Sequence, residues 1–238
     1  MFSYESRIRK DLDRWKKEMR KPPSIMERAS KGTQRTVNRM LPEKYHQVVT
    51  GAIKSITNTV LLGTGFVSSK PLYGLPLQEV ERRVQEKGKL YAATAAVEGA
   101  ATGAGGFVAS LADFPLLLGI KMKFLYEVAA AYGFDTSSYE ERLYLLHIFQ
   151  LAFSSKAHVN KIFERMERWE EYVSTLPESV DDFDWRSFQQ EYRDYLDLAK
   201  LMQMLPLVGA AVGLYVNNKL LKKLAETAMN AYRMRILK

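Results

Sequence analysis

The chain has 238 residues, of which 47% are hydrophobic, so it can bury a substantial core and general disorder is excluded. Cysteine is absent, which excludes disulfides, thiolate metal sites and cysteine nucleophiles. The first 23 residues are charged throughout and lack the apolar segment that a secretory signal needs, so we expect no such signal.

Positive charge is concentrated at the two ends of the chain, whose formal net charge is +8. Residues 1–70 hold 15 Lys and Arg against 6 Asp and Glu, residues 71–200 hold 14 against 20, and residues 201–238 hold 6 against 1. This distribution favours an anionic partner, either lipid headgroups or nucleic acid. The alternative is a solvated helical surface that binds neither.

The first predicted element is a basic amphipathic helix. Ile8, Leu12, Trp15 and Met19 recur at helical spacing and form one narrow apolar stripe, and Pro22-Pro23 ends the helix. Basic side chains occupy the other faces of this helix: Arg7, Lys10, Arg14, Lys17 and Lys21. We expect these basic residues to bind an anionic membrane surface.

Helical periodicity continues nearly to the end of the chain. In the first half of the chain, helices are predicted over residues 24–41, over 42–60, and from 77 into an Ala/Gly-rich run. In the second half, a helix is predicted to start after 115, two more to cover about 139–175 and 184–204, and a last one to start at 206. Gly133 is predicted as a C-cap, and Ser137 or Ser138 as the next N-cap. We therefore predict an all-α fold: a compact multi-helix domain over residues 24–238 with close-packed Gly/Ala-rich central helices, preceded by the helix of residues 1–23.

Two apolar segments, residues 99–120 and 201–216, raise the question of membrane insertion. In the first, the Val, Ile, Leu and Phe residues favour insertion by about 2.4–4.8 kcal/mol, whereas a central Asp costs about 2.5–3.5 kcal/mol. The second has 16 residues, short of the ~20 that a span needs. Small residues let two helices approach closely, either in a protein core or at a lipid interface, and both alternatives stay open. The glycines to which we assign this packing are Gly99, Gly103, Gly105, Gly106, Gly209 and Gly213.

Asp113 lies inside this apolar run, two residues before Pro115, and has two interpretations. In the first, it pairs with Glu98 or Asp135 as an acid–base set for hydrolysis. In the second, its carboxylate caps the N-terminus of a helix in which Pro115 occupies the first turn. The residues alone leave both open.

No established catalytic motif is present in the sequence. A P-loop, HExxH and GxSxG are all absent, and the run GAGGFV does not match the dinucleotide-binding pattern GxGxxG. His147 and His158 are eleven residues apart on one predicted helix, and a spacing of ~16 Å is too large for one ion. We assign structural or solvent-facing roles to these residues and expect no metal and no cofactor.

Two stretches carry a resemblance to a known family. The run EGAATGAGGFVASLADFPLLLGIKMKFLYEVAAAYGFD resembles the signature of the bacterial EcsC protein family, and LPLVGAAVGLYVNN resembles its second signature. The residues that carry the match are Asp113, Pro115, Tyr132, Gly133, Asp135 and Asn217. The resemblance spans about residues 40–235 and implies a helical protein whose relatives accompany an Ecs-type ABC transporter in Gram-positive bacteria. It implies a context in protein secretion and membrane peptide processing but supplies no reaction.

From these observations we expect a membrane-associated accessory protein at the cytoplasmic face of the cell membrane. Its expected partners are the anionic membrane surface and membrane transporter subunits. A hydrolase that uses Asp113 with Glu98 or Asp135 is the alternative. Nucleic-acid binding ranks last, because charge alone favours it and no helix-turn-helix or aromatic RNA-binding motif is present.

Overall fold

The computed structural model describes residues 4–23, 43–66, 69–102, 111–196 and 210–237. These residues form nine α-helices and one short 3-10 helix, Val180–Asp182, and they contain no strand beyond an isolated bridge between Ser154 and Leu196. The predicted all-α fold is confirmed. The α-helices are α1 Tyr4–Arg20, α2 Glu43–Leu61, α3 Leu77–Thr102, α4 Phe114–Ala131, α5 Tyr139–Phe153, α6 Lys156–Glu167, α7 Trp169–Val173, α8 Trp185–Tyr195 and α9 Ala210–Ile236. The predicted helix over residues 24–41 lies outside the described residues.

The turn between α4 and α5 has the predicted N-cap, whereas the C-cap of α4 is Tyr132 and the glycine predicted as C-cap follows it. Gly133 follows α4 with a φ of +83°, and its N–H donates to the carbonyl of Ala130. A Cβ at this position would lie 3.1 Å from the carbonyl oxygen of Leu72, so both the conformation and the space require glycine. Ser138 is the N-cap of α5, and its hydroxyl accepts a hydrogen bond from the N–H of Glu141.

The single helix predicted over residues 139–175 is wrong, because the chain forms α5, α6 and α7 there. Ser154 and Ser155 adopt extended backbone conformations that interrupt the helix. The N–H of Ser155 donates to the carbonyl of Tyr195 at the end of α8, so a tertiary contact satisfies the backbone at the break. His147 and His158 therefore lie on two different helices.

The core is built around α5, whose residues from Glu141 to Phe153 are all buried. A helix that is apolar on nearly every side belongs at the centre of a bundle. Helices α3 and α9 make the most extensive pairing in the described structure, and α4 packs against both. No described helix combines the length and the apolar content that crossing a membrane requires.

The glycine-packing prediction falls mostly beyond what the structure describes. Gly103, Gly105, Gly106 and Gly209 lie outside the described residues. Gly99 and Gly213 are helical, in α3 and α9 respectively. Close packing at these glycines therefore stays a prediction, and both settings, a protein core and a lipid interface, stay open.

Candidate functional site

Helix α1 is packed onto the rest of the bundle through its apolar stripe. Ile8 and Leu12 are buried, and α1 contacts α6, α9 and α3. The ring of Trp15 meets Phe163 edge-on, with 5.6 Å between the ring centroids. The apolar stripe of α1 therefore packs against other helices of the fold and is not available to a lipid interface.

Polar contacts fix α1 along its length. The Tyr4 hydroxyl donates to Glu81 of α3 at 2.5 Å, and the Arg9 guanidinium donates to the carbonyl of Leu237 at 2.7 Å. At the other end, Arg20 donates to Glu167 of α6 at 2.5 Å. The domain boundary predicted after residue 23 stays a prediction, but these contacts join α1 to three other parts of the fold.

Packing the apolar stripe inward leaves one basic stripe of α1, continued by Lys21 just after the helix, facing solvent. Its members recur at steps of three and four residues and are all exposed, and we call them the basic face: Arg7, Lys10, Arg14, Lys17 and Lys21. Arg14 contacts Asp11 at 3.4 Å and Lys21 contacts Glu18 at 2.6 Å. Exposed pairs of this kind contribute about 0–1 kcal/mol and exchange readily for other anions.

A buried ion pair lies beneath the start of α1. Glu81 is 1% exposed and accepts two hydrogen bonds from Arg233 of α9, at 2.7 and 2.6 Å. The remaining donor group of Arg233 bonds Asn230 at 2.8 Å, and the Tyr132 hydroxyl donates to Glu81 at 3.4 Å. Burial, with the nearby Glu81 carboxylate, raises the pKa of Tyr4 to about 12, so that its hydroxyl stays a donor. The pair links the start of α3 to the end of α9.

A second buried carboxylate, Glu141 of α5, lies close to the first pair. It accepts hydrogen bonds from the Tyr232 hydroxyl at 2.7 Å and from Arg235 at 2.6 Å. Burial raises the pKa of Glu141, and Arg235 opposes that shift. The ring of Tyr232 stacks on Tyr132 at 5.3 Å and so connects the two ion pairs. Both carboxylates are saturated by donors, which suits a structural role better than proton transfer.

The two signature segments of the sequence meet at Lys121. This residue of α4 is 1% exposed, and its ammonium donates to the side-chain oxygen of Asn217 in α9 at 3.3 Å. Burial lowers the pKa of Lys121 to about 8. Asn217, a residue of the second signature, therefore holds a cation contributed by the first.

A fourth buried polar group is His147 in α5, which is fully enclosed. Its Nδ1 lies 2.9 Å from the carbonyl of Leu143, and its Nε2 lies 3.3 Å from the guanidinium of Arg165. The carbonyl requires a proton on Nδ1, and the guanidinium requires a lone pair on Nε2, so the neutral tautomer is fixed. Burial, followed by the Arg165 charge, lowers the pKa of His147 to about 3. The structural role predicted for this histidine agrees with these contacts.

Asp113 occupies the N-cap position of α4 and Pro115 lies in the first turn, but the predicted side-chain cap is absent. The φ and ψ of Asp113, −84° and −8°, are helical, whereas a capping side chain needs an extended backbone to reach the free N–H groups. Its Oδ2 is buried and accepts no hydrogen bond from the residues that the structure describes.

Asp113 and Asp135, one of the two proposed acid–base pairs, are far apart. Asp113 precedes the 18 residues of α4 and Asp135 follows them, so about 27 Å of helix separates them. Asp135 is exposed and accepts a hydrogen bond from the N–H of Ser137 at 2.8 Å, which lowers its pKa and forms a turn. Glu98 is helical, and its side chain lies outside the described residues. No group of metal-binding side chains occurs among the described residues.

We expect substitution of Asp113 by alanine to lower the free energy of unfolding by less than about 0.5 kcal/mol, because no cap hydrogen bond is lost. Urea denaturation of the Asp113→Ala and Asp113→Asn variants measures this directly. If the side chain caps α4 in solution, alanine will instead cost about 0.5–2 kcal/mol while asparagine costs little.

Sequence reasoning missed the residues that form the buried polar groups. Glu81 lies in the charged run EVERRVQE, where nothing distinguishes it from its exposed neighbours. Lys121 offered a signal, because it follows an uncharged run of apolar residues and lies on the same helical face as other apolar residues. The other missed residues are Arg233, Glu141 and Arg235.

The geometry defines a class: an all-α protein held by buried ion pairs that presents a basic helix face to solvent. The chain belongs to the EcsC protein family, whose profile matches residues 6–237 and so includes nearly all of α1. It is 45% identical to Protein EcsC of Bacillus subtilis over 225 residues, which cover 94% of this chain and 92% of that protein. It is also 29% identical over 170 residues to the uncharacterized protein YdbA of the same organism, covering 71% of this chain and 62% of that protein. No solved structure matches the chain.

Proposed function

We propose that the protein is a peripheral membrane accessory protein that adsorbs to the cytoplasmic face of the cell membrane through the basic face of α1. The observation that carries this proposal is the orientation of α1. Its apolar stripe is buried and its basic stripe is exposed, so the surface it offers to a membrane is electrostatic. Each Lys or Arg near an anionic membrane contributes about 1 kcal/mol of attraction.

The proposed partner at the membrane is a transporter. Family membership supports this proposal through the Ecs-type ABC transporter that the sequence resemblance implies. In the host, the protein should remain in the membrane fraction when the transporter is present and move to the soluble fraction when the transporter genes are deleted. Unchanged membrane association in the deletion strain would leave lipid adsorption in place but reject the transporter as the partner.

Vesicle sedimentation tests the basic face. Replacing Arg7, Lys10, Arg14 and Lys17 together by glutamine is expected to weaken binding to phosphatidylglycerol-containing vesicles by roughly tenfold or more at low salt. Wild-type binding should be lost at high salt, because screening weakens contacts between exposed charges. Phosphatidylcholine vesicles should bind neither protein.

A matched variant controls for total charge. Exposed basic residues also occur outside α1, among them Lys54, Lys70, Lys161 and Arg186. Replacing these four by glutamine lowers the net charge from +8 to +4, as in the test variant. This control should bind anionic vesicles nearly as well as the wild type. Equal losses in the two variants would contradict a specific role for α1.

A further inference from the structure

A groove of about 520 Å³ runs along the junction of α3 and α9. The pairing of Glu81 with Arg233 sets the start of α3 against the end of α9, so the two helices run antiparallel. The groove volume lies within the range of small-molecule sites. The residues that matter for its chemistry are Gly88, Lys89, Leu221, Lys222, Ala225 and Met229.

The groove has an apolar floor, and two of its lining residues, Gly88 and Ala225, are small. Leu221 and Met229 are 3% and 7% exposed and form the floor, while Gly88 and Ala225 leave the space above it open. A Cβ at Gly88 would only touch the ring of Phe124 at an ordinary 3.8 Å. Glycine is thus not required there by crowding, although it costs a helix about 1 kcal/mol relative to alanine.

Cationic groups mark one end of the groove. Lys89 and Lys222 are exposed, and neither forms an ion pair with a carboxylate of the described residues. The exposed amide of Asn218 lies beside them. Glu226 lies one turn further along α9, and Arg233 at the far end is already saturated by Glu81 and Asn230. The free positive charge of the groove is therefore at the Lys89–Lys222 end.

We propose that this groove binds a medium-chain fatty acid. The carboxylate lies between Lys89 and Lys222, and the alkyl chain lies along Gly88, Ala225 and the apolar floor toward Met229. Burial of methylene groups supplies the affinity, at about 0.8 kcal/mol for each one. The two ammonium groups select the negative charge and fix the direction of the chain. This proposal does not rest on adsorption to membranes through α1.

Calorimetric titration with dodecanoate tests the proposal, with dodecan-1-ol and acetate as probes that lack the charge and the chain respectively. Dodecanoate should bind, and both comparison probes should bind at least about fivefold more weakly. Replacing Ala225 by phenylalanine fills the groove and should abolish binding, whereas the paired substitution Lys89→Gln with Lys222→Gln should weaken it about fivefold. Substitution of Lys54 and Lys161 by glutamine is the control and should leave affinity unchanged.

The outcomes separate this site from the basic face of α1. The Ala225→Phe variant should still sediment with anionic vesicles, and the glutamine variant of α1 should still bind dodecanoate. Ala225→Trp provides a second groove-filling variant, and circular dichroism confirms that each variant is folded. Dodecanoate binding that survives both filling variants, or dodecan-1-ol binding as tight as dodecanoate, would overturn the proposal.

Discussion

Replacing Glu81 by glutamine is expected to lower the free energy of unfolding by about 3–5 kcal/mol, because it leaves the Arg233 charge buried without a counter-charge. The Glu81 and Arg233 side chains are 1% and 10% exposed, so water compensates little of this loss. Tyr4 and Tyr132 also donate to Glu81, so the substitution should loosen α1 as well. Urea denaturation at neutral pH measures the change.

An exposed pair on the same helix provides the matched control. Arg82 and Glu86 are 2.5 Å apart but 55% and 56% exposed, so Glu86→Gln should cost less than about 0.5 kcal/mol. The double substitution Glu81→Leu with Arg233→Met should recover part of the loss, because two apolar side chains leave no buried charge unpaired. A Glu81→Gln variant as stable as Glu86→Gln would show that the buried pair is not maintained in solution.

Acid is expected to destabilise the protein through His147. Its pKa is about 3 in the folded protein and near 6.5 in the unfolded chain, so only the unfolded chain binds this proton between those values. The contribution of neutral His147 is therefore present above pH 6.5 and is lost as the pH falls, at about 1.4 kcal/mol per unit. Between pH 7 and pH 5 the loss from this residue alone is about 2 kcal/mol.

The variant His147→Gln isolates the contribution of His147 to the pH dependence of the free energy of unfolding. A glutamine amide can donate to the Leu143 carbonyl and accept from Arg165, as the neutral imidazole does, but it does not titrate. Denaturation at pH 7 and pH 5 should therefore show about 2 kcal/mol less acid destabilisation in the variant than in the wild type. Equal pH dependence in the two proteins would mean that His147 is protonated in the folded state.

Local sequence determined where several helices begin and end. Gly133 and Ser138 define the turn between α4 and α5 because a positive φ and a capping hydroxyl are properties of single residues. The stripe of Ile8 and Leu12 likewise predicts α1, since helical spacing alone places these residues on one face. The signature residues of the family could also be read directly from the sequence.

Tertiary structure alone decided which charges are buried. Glu81 and Glu86 have the same side chain on one helix, and only contact with Arg233 and Tyr4 makes the first a core residue. It also decided that Asp113 does not cap α4, because the backbone of Asp113 is helical and its side chain makes no cap hydrogen bond. The break at Ser154–Ser155 required Tyr195, forty residues away, to satisfy the freed backbone. Spacing along the chain determines which residues share one face of a helix. Which other helix packs against that face depends on tertiary contacts that the spacing does not encode.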